Sequence, residues 1–283
     1  MVELKKQEIN KEIEEFSKVI MHKFGYNLSN YRDSCLQRRI NARKRSIHVD
    51  SIYEYLRYIE ENPSEIHYLI DTVTIHVTEF FRDRSAFDYL RDYIVPELVE
   101  SKSGRTLRVW SAGCSTGEEA YTLAIILNKS LDAYRSNLGL LVIGTDISTR
   151  AIQTAERGIY SAEKVSGLSS MLLRKFFEKN DRYYRVKEAL KRNVKFFTHD
   201  LVKDPPIEET DIVVCRNVLI HFKESAKRQI ILQFNRSLND GGYLVLGKSE
   251  AVCSEISGKF KLINGHEKIY RKEASVLTFK EDR

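Results

Sequence analysis

LRVWSAGCSTGEEAYTLAIIL, Leu107 to Leu127, is the stretch that decides the fold. Leu107 to Trp110 reads as a short buried strand and Ser111 to Gly117 as a tight turn. From Glu118 onward, Tyr121, Ala124, Ile125 and Leu127 recur at helical spacing. Strand, glycine turn and helix open a nucleotide-binding α/β unit, in which glycines let a ligand approach the backbone. The dinucleotide pattern G-x-G-x-x-G is absent, and so is a phosphate loop ending in Gly-Lys-Ser/Thr. Where a pyrophosphate would sit stand Glu118 and Glu119, whose carboxylates repel a polyphosphate. They suit a ligand with a cationic end, such as the ammonium and sulfonium of S-adenosylmethionine. Acids in a first helical turn also favour the helix dipole, so the pair alone leaves both readings open.

The following strands extend the unit. Leu140 to Asp146, LLVIGTD, is an apolar run ending in an acid, which at the end of a second strand can accept hydrogen bonds from both ribose hydroxyls. Asp146 can equally cap the helix that starts near Ser148. Val194 to Leu201 is the third strand and its end, where Asp200 can reach an adenine amino group. Asp211 to Asn217 is the fourth strand, and its carboxyl end, Cys215-Arg216-Asn217, borders the crevice where ligands of open α/β sheets bind. Gly241-Gly242 reads as a turn before a fifth strand, Tyr243 to Gly247. Phe260 to Ile263 and Lys268 to Arg271 read as a closing antiparallel pair around Asn264-Gly265.

With 283 residues, 42% hydrophobic and 30% charged, the chain reads as an ordinary soluble protein of about two domains. No apolar run approaches the roughly 20 residues that span a bilayer. The start, MVELKKQEINKEIEEF, has no signal-peptide core, so a cytoplasmic location without membrane insertion is expected. Cys35, Cys114, Cys215 and Cys253 are scattered with no C-x-x-C pair, so neither a metal site nor a disulfide framework is indicated. The net charge of +6 points to an acidic partner: nucleic acid, a membrane surface or an acidic protein.

Residues 1–90 read as all-helical. Ile9, Ile13, Phe16, Ile20 and Phe24 keep helical spacing up to Gly25. Further helices are expected over about 29–47, 51–61 and from Pro63 onward. The second is basic, with Arg32, Arg39 and Arg43 near one face, and reads either as a solvated surface or as a docking face for carboxylates. Residues 91–275 form the α/β domain, with an excursion over 161–192, and 276–283 is a tail. The stretch TIHVTEFFRD, Thr74 to Asp83, joins the two domains.

Together these motifs resemble the CheR family of chemotaxis-receptor glutamate methyltransferases. The matching stretches are TEFFRD (Thr78 to Asp83), SAGCSTGEEAYTLA (Ser111 to Ala124), GTDIS (Gly144 to Ser148), RGIYS (Arg157 to Ser161) and CRNVLIHF (Cys215 to Phe222). The resemblance implies an α/β fold: a Rossmann-like S-adenosylmethionine-dependent domain, an all-α N-terminal domain and a small β-subdomain in the excursion. It implies methyl transfer to glutamates on the cytoplasmic helices of chemoreceptors, giving methyl esters and S-adenosylhomocysteine. Such an enzyme is cytoplasmic and recruited to membrane receptor arrays. Carried over by position, the cofactor ligands are Thr78, Arg82, Glu118, Asp146, Asp200, Leu201, Arg216 and Asn217. Arg82 and His221 stand near the transferring methyl, and Arg32, Arg39 and Arg43 steer the acidic receptor helix. His221 occupies a position where the family usually has tyrosine, and His76 one where it has asparagine.

Two other classes compete. Asp204-Pro205-Pro206-Ile207 resembles the loop of amino-directed nucleic-acid methyltransferases, but it precedes the fourth strand instead of following it and lacks the aromatic residue, so no nucleic-acid partner is expected. A cofactor-binding docking module without catalysis rests on His76 and His221 alone. Nothing in the sequence demands more than a monomer.

Overall fold

The computed structural model describes residues 2–74, 77–101 and 106–274, with side chains from residue 11 onward. The side chain of Ile9, residues His76 and Arg105, and the 276–283 tail lie outside the described residues. Four helices come first: α1 (Val2–Phe24), α2 (Asp33–Ser46), α3 (Ile52–Glu61) and α4 (Glu65–Thr74). Their apolar stripes meet in one core, with Ile13, Phe16 and Ile20 packed against Leu36, Ile40, Tyr55, Ile59 and Leu69. The second helix is shorter than its apolar spacing suggests, because residues 28–30 form a separate 3₁₀ turn and Arg32 is extended. Ser51 and Glu54 cap α3 reciprocally, satisfying two backbone donors that the first turn leaves unpaired.

The α/β body continues with α5 (Arg84–Tyr89), a π-turn (Leu90–Ile94) and α6 (Val95–Ser101). Pro96, at the start of α6, has no N–H to donate back into the preceding turn. Then follow β1 (Thr106–Ala112), α7 (Glu118–Ala133), β2 (Gly139–Asp146), α8 (Thr149–Arg157), β3 (Ile159–Ser161), α9 (Ser170–Phe176), β4 (Phe177–Asn180) and β5 (Tyr183–Val186). The chain ends with α10 (Glu188–Lys191), β6 (Val194–Thr198), β7 (Thr210–Cys215), α11 (Glu224–Ser237), β8 (Leu238–Leu246), β9 (Phe260–Asn264) and β10 (Ile269–Lys272). Seven strands form one sheet in the order β6-β2-β1-β7-β8-β10-β9. The first five are parallel, and β10 and β9 close the edge antiparallel. The order reverses between β1 and β7, which opens a crevice beyond their carboxyl ends.

Alternate residues of the strands feed two cores. Trp110 and Val213 face α11 and the four N-terminal helices, whereas Val109, Ile212 and Val214 face α7 and residues 80–98. Phe87 on α5 belongs to this second core, so the helical unit ends at α4, short of residue 90. The excursion forms a three-stranded sheet, β3-β5-β4. The Gly241-Gly242 turn lies inside β8 as an irregularity: the register with β7 jumps from Thr210–Leu238 to Ile212–Tyr243.

Candidate active site

The crevice is a cleft of about 220 Å³ walled by the junction loop, the turn after β1, the ends of β2 and β6, and the loop after β7. At the turn, Gly113 and Cys114 both donate to the Thr145 carbonyl at 2.8 Å, docking the loop on the end of β2. Gly113 has φ +80°, and a Cβ there would lie 2.6 Å from the Val218 side chain, so the loops after β1 and β7 meet only because that atom is missing. Asp146, 8% exposed, accepts from the backbone N–H of Ser115 and of Ser148, each at 2.9 Å. These bonds fix its carboxylate at the cleft wall. Ser148 caps α8 by accepting from Ala151, and its hydroxyl donates to Asp71 of α4.

Thr78, Arg82, Asp146, Asp200, Leu201, Arg216 and Asn217 all line the cleft, and so does His221. Glu118 does not line it. Its side chain is fully buried, 3.1 Å from Lys164 Nζ, and takes a 2.6 Å hydrogen bond from Thr116. Neighbouring helical residues point about 100° apart, and it is Glu119 that faces the cleft. Ser111 donates to Glu119 at 2.7 Å. Burial pushes the Glu119 carboxyl above its ordinary range, while Arg216 and the Ser111 hydroxyl oppose that rise.

Arg216 lies 5.1 Å over the Phe87 ring and donates to the Arg82 carbonyl at 2.9 Å and to Asp83 at 2.7 Å. It therefore straps the junction loop to the end of β7. Asn217 has φ +59°. Its loop is held by Glu250, a buried carboxylate that accepts from the backbone N–H of Asn217, Val218, Ile220 and Gly247. Gly247 is needed there because a Cβ would stand 2.6 Å from Glu250 Oε2. Arg82 Nη1 donates to the Val77 carbonyl at 2.7 Å. His221 is held below the ordinary imidazole value by partial burial and by Arg39, Arg38 and Arg32, so at pH 7 its ring is neutral.

The N-terminal helices reach the cleft through Tyr31, which lines it and stacks on Phe222 at 4.7 Å. Arg32 N–H donates to the His221 carbonyl at 2.9 Å, and Lys223 N–H to the Asn30 carbonyl at 2.8 Å. These bonds put the first turn of α2 at the rim. Arg32 is exposed and 3.5 Å from Glu224, and Arg39 is half-buried. Arg43 is placed differently from a docking residue. It forms a two-pronged pair with the buried carboxylate of Glu65, which Tyr55 also contacts at 3.0 Å, and it lies over the Tyr68 ring. Its charge is spent inside the helical unit.

Residues 204–207 lie outside the lining of the cleft. The Pro205 carbonyl instead receives His199 Nε2 at 3.0 Å and Gln233 reaches the Asp204 carbonyl, so the Asp-Pro-Pro segment is a structural loop. Burial pushes the thiol of Cys114, the cysteine among the lining residues, well above its ordinary range, which disfavours a nucleophilic thiolate there. Tyr31, Glu250 and Lys164 have no sequence motif that singles them out. Only the Glu118-Glu119 pair signalled its place, without saying which member faces the ligand.

Residues 11–74 match the family description "CheR methyltransferase, all-alpha domain", and residues 76–269 match "CheR methyltransferase, SAM binding domain". The chain belongs to the CheR methyltransferase family. A chemotaxis protein methyltransferase of Borreliella burgdorferi is 32% identical over 85% of this chain and 88% of its own length. One of Listeria innocua is 33% identical over 84% and 89%. An uncharacterised 104.1 kDa protein of Rhodobacter capsulatus is 32% identical over 87% of this chain, which spans only 26% of that protein. The cofactor of the family's α/β domain is S-adenosylmethionine. The donor set fits it, since the carboxyl groups of Glu119, Asp146 and Asp200 line the cleft. They suit a cationic amine and ribose hydroxyls and disfavour a polyphosphate. Among the described residues no helix is long and apolar enough to cross a membrane.

Proposed function

We propose that this chain methylates glutamate side chains on acidic helices of chemoreceptors, as a protein-glutamate O-methyltransferase of chemotaxis. The chemotaxis methyltransferases it is similar to support the setting. The observation that carries the substrate class is the basic charge at the rim, outside the carboxyl groups that line the cleft and suit the cofactor. A half-exposed Arg82 lines the cleft beside a neutral His221, with arginines of α2 at the rim. That surround attracts an acidic acceptor.

S-adenosylmethionine supplies an electrophilic methyl group, which a glutamate carboxylate takes up as a methyl ester with release of S-adenosylhomocysteine. A glutamate of ordinary pKa, about 4.3, is already ionised at neutral pH. The chain therefore needs no general base, and its work is positioning, which can supply about 7–11 kcal/mol. In this reading Asp146 accepts from the ribose hydroxyls, and Asp200 and Leu201 border the adenine. Glu119 takes the cationic amine, a role that the resemblance gives to Glu118. Thr78 and Arg82 close the junction side, and Arg216 and Asn217 hold that wall in place. Arg82 orients a carboxylate through a partial contact, because a full two-pronged clamp would lower the reactivity of the nucleophile. His221, neutral and able to donate one hydrogen bond, faces the acceptor without adding charge.

The test is transfer of labelled methyl from S-adenosylmethionine to membranes rich in chemoreceptors, followed by mild base. Carboxyl methyl esters release volatile labelled methanol. Base-stable label would overturn the reading in favour of an amine acceptor. Arg82→Ala should cut turnover at least about a hundredfold while the fold, read by circular dichroism, is unchanged.

A further inference from the structure

We propose that Lys164 is a positioning residue: through it, the three-stranded insertion holds the junction loop at the cofactor site. The inference rests on the reading that Thr78 and Arg82 hold the cofactor.

Lys164 lies in the loop after β3 and is outside the lining of the cleft. Its Nζ donates to the Thr78 carbonyl at 2.7 Å and stands 3.1 Å from Glu118 Oε1. One ammonium thus joins the junction loop to the first turn of α7, both of which contribute residues to the cleft. The rest of the insertion backs this joint. Tyr160 of β3 donates to the Thr116 carbonyl at 2.7 Å. Phe80 of the junction packs edge-on against Tyr160 at 5.0 Å and against Phe177 of β4 at 5.5 Å. Phe81 N–H donates to Thr122 of α7 at 3.1 Å. Thr78 is the first junction residue that lines the cleft after Val77, whose carbonyl holds Arg82. A bond to the Thr78 carbonyl therefore fixes the backbone between two side chains assigned to the cofactor.

The simpler role for Lys164 is to neutralise Glu118, which is fully buried. The two roles separate in a double-mutant cycle. Lys164→Met alone leaves a buried carboxylate without its counter-charge, a change expected to cost the fold. The informative comparison is Glu118→Gln against Glu118→Gln with Lys164→Met, since the buried charge is gone from both. Binding of S-adenosylhomocysteine by calorimetry is the readout, with melting temperature measured alongside. Adding Lys164→Met should weaken binding about tenfold, the order lost when a group that orients a binding residue is removed, whereas a purely structural role would lower the melting temperature and leave affinity unchanged. Lys164→Arg in the same background should restore affinity, because a guanidinium can still donate to the Thr78 carbonyl. Equal affinity in the two Glu118→Gln proteins would overturn the proposal. Arg82→Ala and Thr78→Ala, titrated in parallel, keep the failures apart: if neither weakens binding, the assignment of the junction to the cofactor fails, whatever Lys164 does.

Discussion

At the scale of the residue, Glu119 carries the sharpest prediction. Its carboxyl is buried and pushed above the ordinary glutamate range, so it takes up a proton at a pH where an exposed glutamate is still ionised. Once protonated it no longer attracts a cationic amine. Affinity for S-adenosylmethionine should therefore fall as pH drops through the raised value, and Glu119→Gln should weaken binding about tenfold near pH 7 and abolish that pH dependence. Titration calorimetry from about pH 8 to about pH 5 checks both, and a Gln variant with the same pH profile as the parent would remove Glu119 from the cofactor. The linkage to folding has the opposite sense. Between the ordinary glutamate value and the raised one the folded chain binds more protons than the unfolded one, so Glu119's contribution to stability falls as pH rises through that window. Two adjacent acids are visible in the sequence, but helix phase is not: which of them faces a cleft depends on where the turn after β1 releases the chain into α7. Asp146, expected at the crevice from its place at the end of the second strand, does line the cleft.

At the scale of the element, the large parallel strands announce themselves. DIVVC in β7 is buried along its whole length, and strands covered on both faces read as unbroken apolar runs. The small sheet is less legible. IYS and FEKN are only three and four residues long, too short for periodicity to separate from loop. The loop after β7 is a further element that sequence reading left unexplained, because the group that shapes it lies over thirty positions downstream. Glu250 gathers four backbone N–H groups of residues 217–247. An amide in its place offers one acceptor oxygen and turns donors toward donors. Glu250→Gln should therefore destabilise the protein by about 2–3 kcal/mol and weaken cofactor binding together with it. Denaturant unfolding measures the first effect, and a variant with parental stability would show that the loop holds its shape without this carboxylate.

At the scale of the whole molecule, a net charge of +6 matters through where the charge is spent. The arginines of α2 divide into two kinds that composition cannot tell apart. Arg43 is consumed by Glu65, which is 4% exposed, and breaking such a pair costs about 3–5 kcal/mol because a buried carboxylate is left behind. Arg43→Met should therefore lower stability by that order and act on receptor affinity only through loss of fold. Arg32 is anchored at the cleft rim by its own backbone bond to His221, its guanidinium only loosely held by Glu224 at 3.5 Å, and the charge of Arg39 is felt at His221. In the proposed function both would draw an acidic helix toward the cleft. Arg32→Gln with Arg39→Gln should reduce association with a chemoreceptor cytoplasmic fragment by more than any loss of stability, measured alongside by denaturant unfolding, accounts for. In the parent, association should weaken as salt rises, because exposed charges are screened over about 8–10 Å at physiological ionic strength. The double variant should lose most of that salt dependence. An affinity that ignores both salt and these two substitutions would take the basic rim out of substrate capture and leave selection of the proposed acidic acceptor to the cleft alone.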